Sequence, residues 1–213
     1  KKPITVEKTF KFLLNGEPFR EVFCSPCDIE DFCVGFLAQE KKIYSAEDII
    51  SLEIKDSLID VKIKSGIKPA QVYFANDVTF IAKDILACAD KLLSELSTTH
   101  AKTNGTHSGA LSDGKNILLL REDIGRHNVF DKIHGAAIRD KIFLGNKILI
   151  FSGRCSSEMI SKLGRMGTPA VLAKSVPTTL AIDIAQKLGI TLAAKLSAGS
   201  FCIYTNPQRI VLS

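Results

Sequence analysis

Three times after residue 115, an apolar run of buried-strand length enters a polar turn and then an apolar pattern of helical period. Asn116-Ile117-Leu118-Leu119-Leu120 leads into Arg121-Glu122-Asp123-Ile124-Gly125-Arg126-His127-Asn128, after which Val129, Ile133, Ala136 and Ala137 recur at helical spacing. Lys147 to Phe151 enters Ser152-Gly153-Arg154-Cys155-Ser156-Ser157-Glu158 and a helix predicted over Met159 to Met166. Ala170 to Ala173 enters Lys174-Ser175-Val176-Pro177-Thr178-Thr179 and a helix over Leu180 to Leu188. Strands joined through helices cross over right-handedly, so the repetition predicts an α/β fold with a mainly parallel sheet flanked by helices.

In such a sheet the turns gather at the strands' carboxyl edge, where helices present free N–H groups. The three turns carry Arg126, Arg154 and Lys174 among hydroxyls, so a polyphosphate or dinucleotide-like anion is the ligand class they suggest. Each charge-assisted contact is worth roughly 1.5–3 kcal/mol. The plainer account of the first turn is a solvated loop whose arginines pair with Glu122, Asp123 and Asp131.

A chain of 213 residues is ample for one large domain or a domain with a smaller lobe. Hydrophobic content of 46% and charged content of 24% are those of an ordinary globular protein. The net charge of +5 suits an anionic ligand, but the basic blocks of a dedicated nucleic-acid binder are missing. No apolar run reaches the roughly 18 residues of a membrane helix. The amino end passes straight into an alternating pattern without a signal-peptide core, so no membrane role and a cytoplasmic location are expected.

Residues 1–70 read as a β-rich lobe with one helix. Thr5 to Leu14 and Glu17 to Phe23 flank the hairpin signal Asn15-Gly16. A helix over Ile29 to Lys41 follows, with Asp28 as N-cap, and two more strands run from Ile49 to Ile54 and Leu58 to Ile63. Lys64 to Phe74, with Gly66 and Pro69, is the expected boundary to a core over 71–213. There Asn76 is expected to cap a helix to about Leu96, Thr98 to Thr106 to be a loop, and Asp113-Gly114 to turn a second hairpin. The last two strands are expected over Gly189 to Ala194 and Phe201 to Thr205.

Six cysteines admit a disulfide framework, but Cys33 and Cys88 fall in helical apolar contexts and the set reads as mostly reduced. Cys24-Ser25-Pro26-Cys27 is either a thiol pair of redox or sulfur-carrying type or simply two small residues at a corner. A zinc site needs about four ligands, and no second C-x-x-C or H-x-x-x-H exists. Cys155 follows Arg154 at a predicted helix start, where a thiolate is stabilised, or it merely fills a tight turn. His127 beside Arg126, and His107, are candidate phosphate donors or acids, or structural hydrogen-bonders.

Arg121-Glu122-Asp123-Ile124-Gly125-Arg126-His127-Asn128-x-x-Asp131-Lys132 resembles the signature of the formate dehydrogenase accessory protein family (FdhD/NarQ-like). Further matches follow in order: Ser25-Pro26-x-Asp28-Ile29-Glu30-Asp31, Gly35-Phe36-Leu37, Gly105-Thr106-His107, Ser152-Gly153-Arg154 with Ser156 and Glu158-Met159, Ser175 with Pro177 to Ala181, and Tyr204-Thr205 with Pro207 to Arg209. The resemblance implies a cytidine-deaminase-like core, usually homodimeric. It implies a cytoplasmic sulfurtransferase that takes sulfur as a persulfide from a cysteine desulfurase. The sulfur goes to the molybdenum bis(molybdopterin guanine dinucleotide) cofactor of the formate dehydrogenase catalytic subunit. Binding residues for that cofactor would be Arg121, Asp123, Arg126, His127, Asn128, Asp131, His107, Ser152, Arg154, Ser156, Glu158, Ser175, Thr178 and Thr179, with Lys195, Ser197, Gly199 and Ser200 in a late loop. No protein-ligated metal is expected.

The chain departs from the family twice. Where the family carries its sulfur-bearing C-x-x-C, Lys64 to Phe74 has no cysteine, which leaves Cys155, Cys24 and Cys27 as candidates. The late loop reads Lys195-Leu196-Ser197-Ala198-Gly199-Ser200 in place of aromatic and Arg positions. Two alternatives therefore stand beside the sulfurtransferase: a cofactor-binding chaperone or carrier without sulfur chemistry, and a zinc deaminase, for which His-x-Glu and Pro-Cys-x-x-Cys are lacking.

Overall fold

The computed structural model describes residues 4–75, 77–96, 98–197 and 199–212. Strands β1 (Lys8–Leu14) and β2 (Glu17–Cys24) form a hairpin whose Asn15 and Gly16 both adopt positive φ, at 54° and 84°. That is the backbone a two-residue turn needs to match strand twist, and it explains the Asn-Gly pair. Helix α1 (Ile29–Gln39) follows, then β3 (Ile49–Lys55) and β4 (Leu58–Ile63), giving a four-stranded sheet in the order β2-β1-β4-β3. Phe10, Phe12 and Val22 of the sheet bury themselves against Phe32, Cys33 and Leu37 of α1.

The helix expected from Asn76 begins later than the sequence suggests. Asn76, the expected cap, lies outside the described residues. In place of one long helix there is a two-residue strand β5 (Phe80–Ile81), then α2 (Ala82–Lys91), which runs on as a π-turn at Leu92–Leu96. Pairing of Phe80 and Ile81 with Ile210 and Val211 of β12 (Ile210–Val211), together with burial of Phe80, overrides their helical period. The expected loop after it is a short helix, α3 (Thr98–Thr103), because the Glu122 carboxylate accepts the N–H groups of Thr99 and His100.

The main sheet has the order β11-β10-β9-β8-β6-β7. Its strands are β6 (His107–Ser112), β7 (Ile117–Asp123), β8 (Ile148–Arg154), β9 (Ala170–Ser175), β10 (Thr191–Ser197) and β11 (Ser200–Thr205). Strands β7 to β10 point one way, while β6, the other arm of the Asp113-Gly114 hairpin, and the edge strand β11 oppose them. Helices α4 (Arg126–Arg139), α5 (Ser157–Met166) and α6 (Thr179–Leu188) make the crossovers. Gly167 and Gly189 close α5 and α6 at positive φ, and so the strand expected from Gly189 starts at Thr191. Alternate residues then face opposite layers. Leu149 and Phe151 meet α4, α5 and α6, whereas Ile148 and Ile150 meet α2.

The two units join where α1 crosses α4. A Cβ built on Gly35 would stand 1.7 Å from the Asp131 carbonyl oxygen, and one on Gly135 would stand 1.8 Å from that of Asp31. Nothing flexible can yield there, because both obstacles are backbone. Gly135→Ala should therefore cost about 3 kcal/mol or more, at the upper end for overpacked cores. A urea midpoint equal to that of the parent chain would show that the crossing tolerates a methyl group.

Candidate functional site

The strand directions bring the carboxyl ends of β7, β8, β9 and β10 and the amino ends of β6 and β11 to one edge. Registers fix the neighbours there: Ser197 opposite Ser200, Arg154 beside Ser175, and His107 opposite Asp123. Five inter-strand steps make this row on the order of 24 Å long. Lys174 and Ser175 end β9, Arg126 opens α4, and Lys195 stands on a bulge of β10 at φ 61°. Thr178 caps α6 by accepting the Ala181 N–H at 3.2 Å, and Thr179 is exposed beside it.

The chain has seven arginines. Arg20 pairs with Glu40, Arg121 with Asp28 and Asp31, and Arg139 with Glu30 and Asp31. Arg165 donates to Gln39, and Arg209 donates to Gly189 and Thr191. Among the described residues only Arg126 and Arg154 have neither an ionic nor a hydrogen-bonding partner, and both are exposed on the rim. Two planar, permanently charged forks left open at one edge suit an anion with several oxygens.

The histidines of the rim are held neutral. His107 is half-buried with its ring 5.8 Å from that of Phe151, and Gly153 leaves room for it, since a Cβ there would meet His107 Nδ1 at 3.0 Å. Burial, then Arg126, pushes its pKa below the ordinary 6.5. His127 Nε2 lies 3.4 Å from the Glu158 carboxylate, yet burial, then Lys162 and Arg126, lowers its pKa too. Ser152 Oγ accepts the Ser108 N–H at 2.8 Å, while Ser156 Oγ is buried without a hydrogen-bond partner among the described residues.

The family model described as FdhD/NarQ matches residues 5–72 and 65–211. The chain belongs to the FdhD/NarQ family. It is 38% identical to the sulfur carrier protein FdhD of Staphylococcus haemolyticus, over 92% of this chain and 85% of that one. It is 34% identical to the protein of the same name in Geobacillus kaustophilus, over 98% and 90%. A crystal structure assigned as a formate dehydrogenase accessory protein from Desulfotalea psychrophila superposes with a TM-score of 0.87 at 25% identity, covering 99% of this chain and 91% of that one. The 226-residue match to the Staphylococcus haemolyticus protein exceeds what 92% of this chain can supply, so about 30 of its positions have no counterpart here, an amount surface loops accommodate.

Much of the family signature faces inward. Asp123 is fully buried: one carboxylate oxygen accepts the N–H of Gly125 at 2.8 Å and the amide of Asn128 at 2.9 Å. The other accepts the Ser25 N–H at 3.0 Å and pairs with Lys132 Nζ at 2.7 Å. Asn128 also donates to the Phe23 carbonyl, and Ser25 Oγ accepts the Ile124 N–H. These residues fasten the Cys24–Cys27 corner of the first unit onto the β7–α4 turn. Arg121 is committed to Asp31, at 2.6 and 2.8 Å. Asp28 likewise faces Arg121, at 3.9 Å, and makes no side-chain cap bond to α1. Asp131 is buried and pairs with Lys162. Cys155 is fully buried, and its thiol is pushed up to about 12.

Sequence reasoning missed Lys132 as a functional contact. The signal was present: Val129, Lys132, Ile133 and Ala136 share one helix face, so this lysine lies on the apolar stripe. Among the described residues, no three His, Cys, Asp or Glu side chains converge as metal ligands would. No described helix is long and apolar enough to cross a membrane.

Behind the rim, Gln39 Oε1 accepts from Arg165, which turns the Gln39 amide nitrogen onto His134 Nδ1 at 3.2 Å. That nitrogen must accept, so His134 is neutral; burial, then Lys162 and Arg165, lowers its pKa to about 3. A folded pKa below the unfolded 6.5 gives stability that is complete above 6.5 and is lost as pH falls towards about 3. The stability margin of the parent chain over a His134→Gln variant should shrink over that window by on the order of 2–4 kcal/mol. A margin flat in pH, measured by urea unfolding at several pH values, would mean His134 is not held neutral.

Proposed function

We propose that the protein is a sulfur-carrying accessory factor for formate dehydrogenase maturation. In this reading the rim holds the molybdenum bis(molybdopterin guanine dinucleotide) cargo by its diphosphates, and sulfur reaches that cargo from a cysteine desulfurase. The observation that carries the reading is the pair of arginines, Arg126 and Arg154, without partners among the described residues, on an edge that also carries Lys174, Ser175, Ser197 and Ser200. The donor set fits a diphosphate: guanidinium forks for the charge, hydroxyls for the remaining oxygens. The names of the relatives, sulfur carrier protein and formate dehydrogenase accessory protein, support the same assignment. A cytidine-deaminase-like core, a homodimer and a cytoplasmic location belong to this proposal as well.

A second reading keeps the rim and drops the sulfur chemistry, making the protein a cofactor chaperone. It is favoured by the burial of Cys24, Cys33, Cys88 and Cys155, which leaves Cys27 and Cys202 exposed. Both readings require the rim to bind a guanine nucleotide diphosphate. Calorimetric titration with GDP should give binding that Arg126→Ala and Arg154→Ala each weaken by about tenfold or more, the loss of one charge-assisted contact. Unchanged affinity in both variants removes the rim from the binding site.

A further inference from the structure

We propose that Cys27 is the thiol that carries sulfur in this chain, and that Lys132 stabilises its anion. The assignment rests on the sulfur-carrier reading above and names the atom that reading needs. Of the two exposed thiols, Cys202 lies on the edge strand β11 with no cation against it among the described residues. Cys27 has one: Lys132 Nζ donates to its Sγ at 3.5 Å.

The surroundings of that contact are built. Lys132 has no exposed surface, and its ammonium is held by Asp123 at 2.7 Å and by the carbonyls of Glu122 at 3.1 Å and Ser25 at 3.3 Å. An ammonium has three protons for these four acceptors, so the hydrogen bond to sulfur strengthens only when sulfur carries charge. Cys27 Sγ also lies 3.8 Å from the Glu122 carbonyl, to which a neutral thiol donates. Burial raises the Cys27 pKa and Lys132 opposes the rise, so the resting group is a protonated thiol. Cys24, three residues earlier in the same C-x-x-C, is fully buried with its thiol pushed up to about 12. One thiol of the pair is thus open to a partner and the other is enclosed.

Position completes the case. Glu122 and Asp123 end β7, so the Cys24–Cys27 corner docks at the end of the strand that leads into Arg126. The thiol therefore belongs to the same edge of the molecule as the open arginines. In the loading step the Cys27 thiolate attacks the outer sulfur of a donor persulfide. A new S–S bond forms on Cys27, the donor's S–S bond breaks, and the donor leaves as a thiol with the proton Cys27 gave up. One S–S bond replaces another, so no oxidant or reductant is consumed.

The full chain is incubated with glutathione persulfide, the added sulfur is counted by intact-mass spectrometry, and its position is mapped on peptides after alkylation. One sulfur atom is expected, on Cys27; Cys202→Ser should still take it and Cys27→Ser should not. A parent chain that takes no sulfur, or takes it on Cys202 or Cys24, overturns the assignment. GDP is titrated into the same preparation. Nucleotide binding with sulfur on another cysteine sinks the thiol alone, and sulfur on Cys27 without nucleotide binding sinks the rim alone.

Discussion

The buried ion pair between Lys132 and Asp123 is the contact at which the two units, the site and the family signature meet. Neither side chain has exposed surface, so each must recover inside the protein what water supplied. Asp123 recovers it from two backbone N–H groups, an amide and the lysine. Lys132 recovers it from two carbonyls, the carboxylate and a sulfur. Ser25, Glu122, Gly125 and Asn128 are thereby tied to one point. Losing one partner of such a pair costs about 3–5 kcal/mol, because the other charge stays buried. A network so fully satisfied holds the β7–α4 turn in one conformation and leaves Arg126 on the outside.

The helix crossing makes this network possible. With Gly35 and Gly135 at the contact, α1 and α4 approach until backbone meets backbone, and Asp31 comes within reach of both Arg121 and Arg139. The signature therefore mixes two duties. Arg121, Asp123, Asn128 and Lys132 hold one unit against the other, while Arg126 and His127 face the edge where a ligand would lie. Asp131 serves neither task directly; with Lys162 it supports the polar layer that keeps His134 neutral.

The legible parts of the fold were those set by local chemistry. Asn15-Gly16 and Asp113-Gly114 turned hairpins as read, and the three strand-to-helix units were found because an apolar run followed by a 3.6-residue period has few other meanings. The illegible parts were set by partners distant in sequence. Nothing local to Phe80 and Ile81 announces Ile210 and Val211, and nothing near Thr98 announces the carboxylate of Glu122. The candidate site divides in the same way. Its charged turns were visible, but which charges would be consumed in holding the units together depended on contacts spanning about ninety residues or more, such as Arg121 with Asp31. The Cys27–Lys132 contact, across 105 positions, could not be read from either end.

What separates the edge from the rest of the molecule is its uncompensated charge. Elsewhere the fold goes to some length to partner its arginines: Arg165 turns an amide, Arg209 finds a helix-terminal carbonyl, and Arg121 and Arg139 share one carboxylate. At the rim two guanidinium groups stand with Lys174 and Lys195 and gain nothing from one another. Like charges along one edge oppose folding slightly and are tolerated mainly because water and salt screen them over about 8–10 Å. The same field attracts a multiply charged anion to the row.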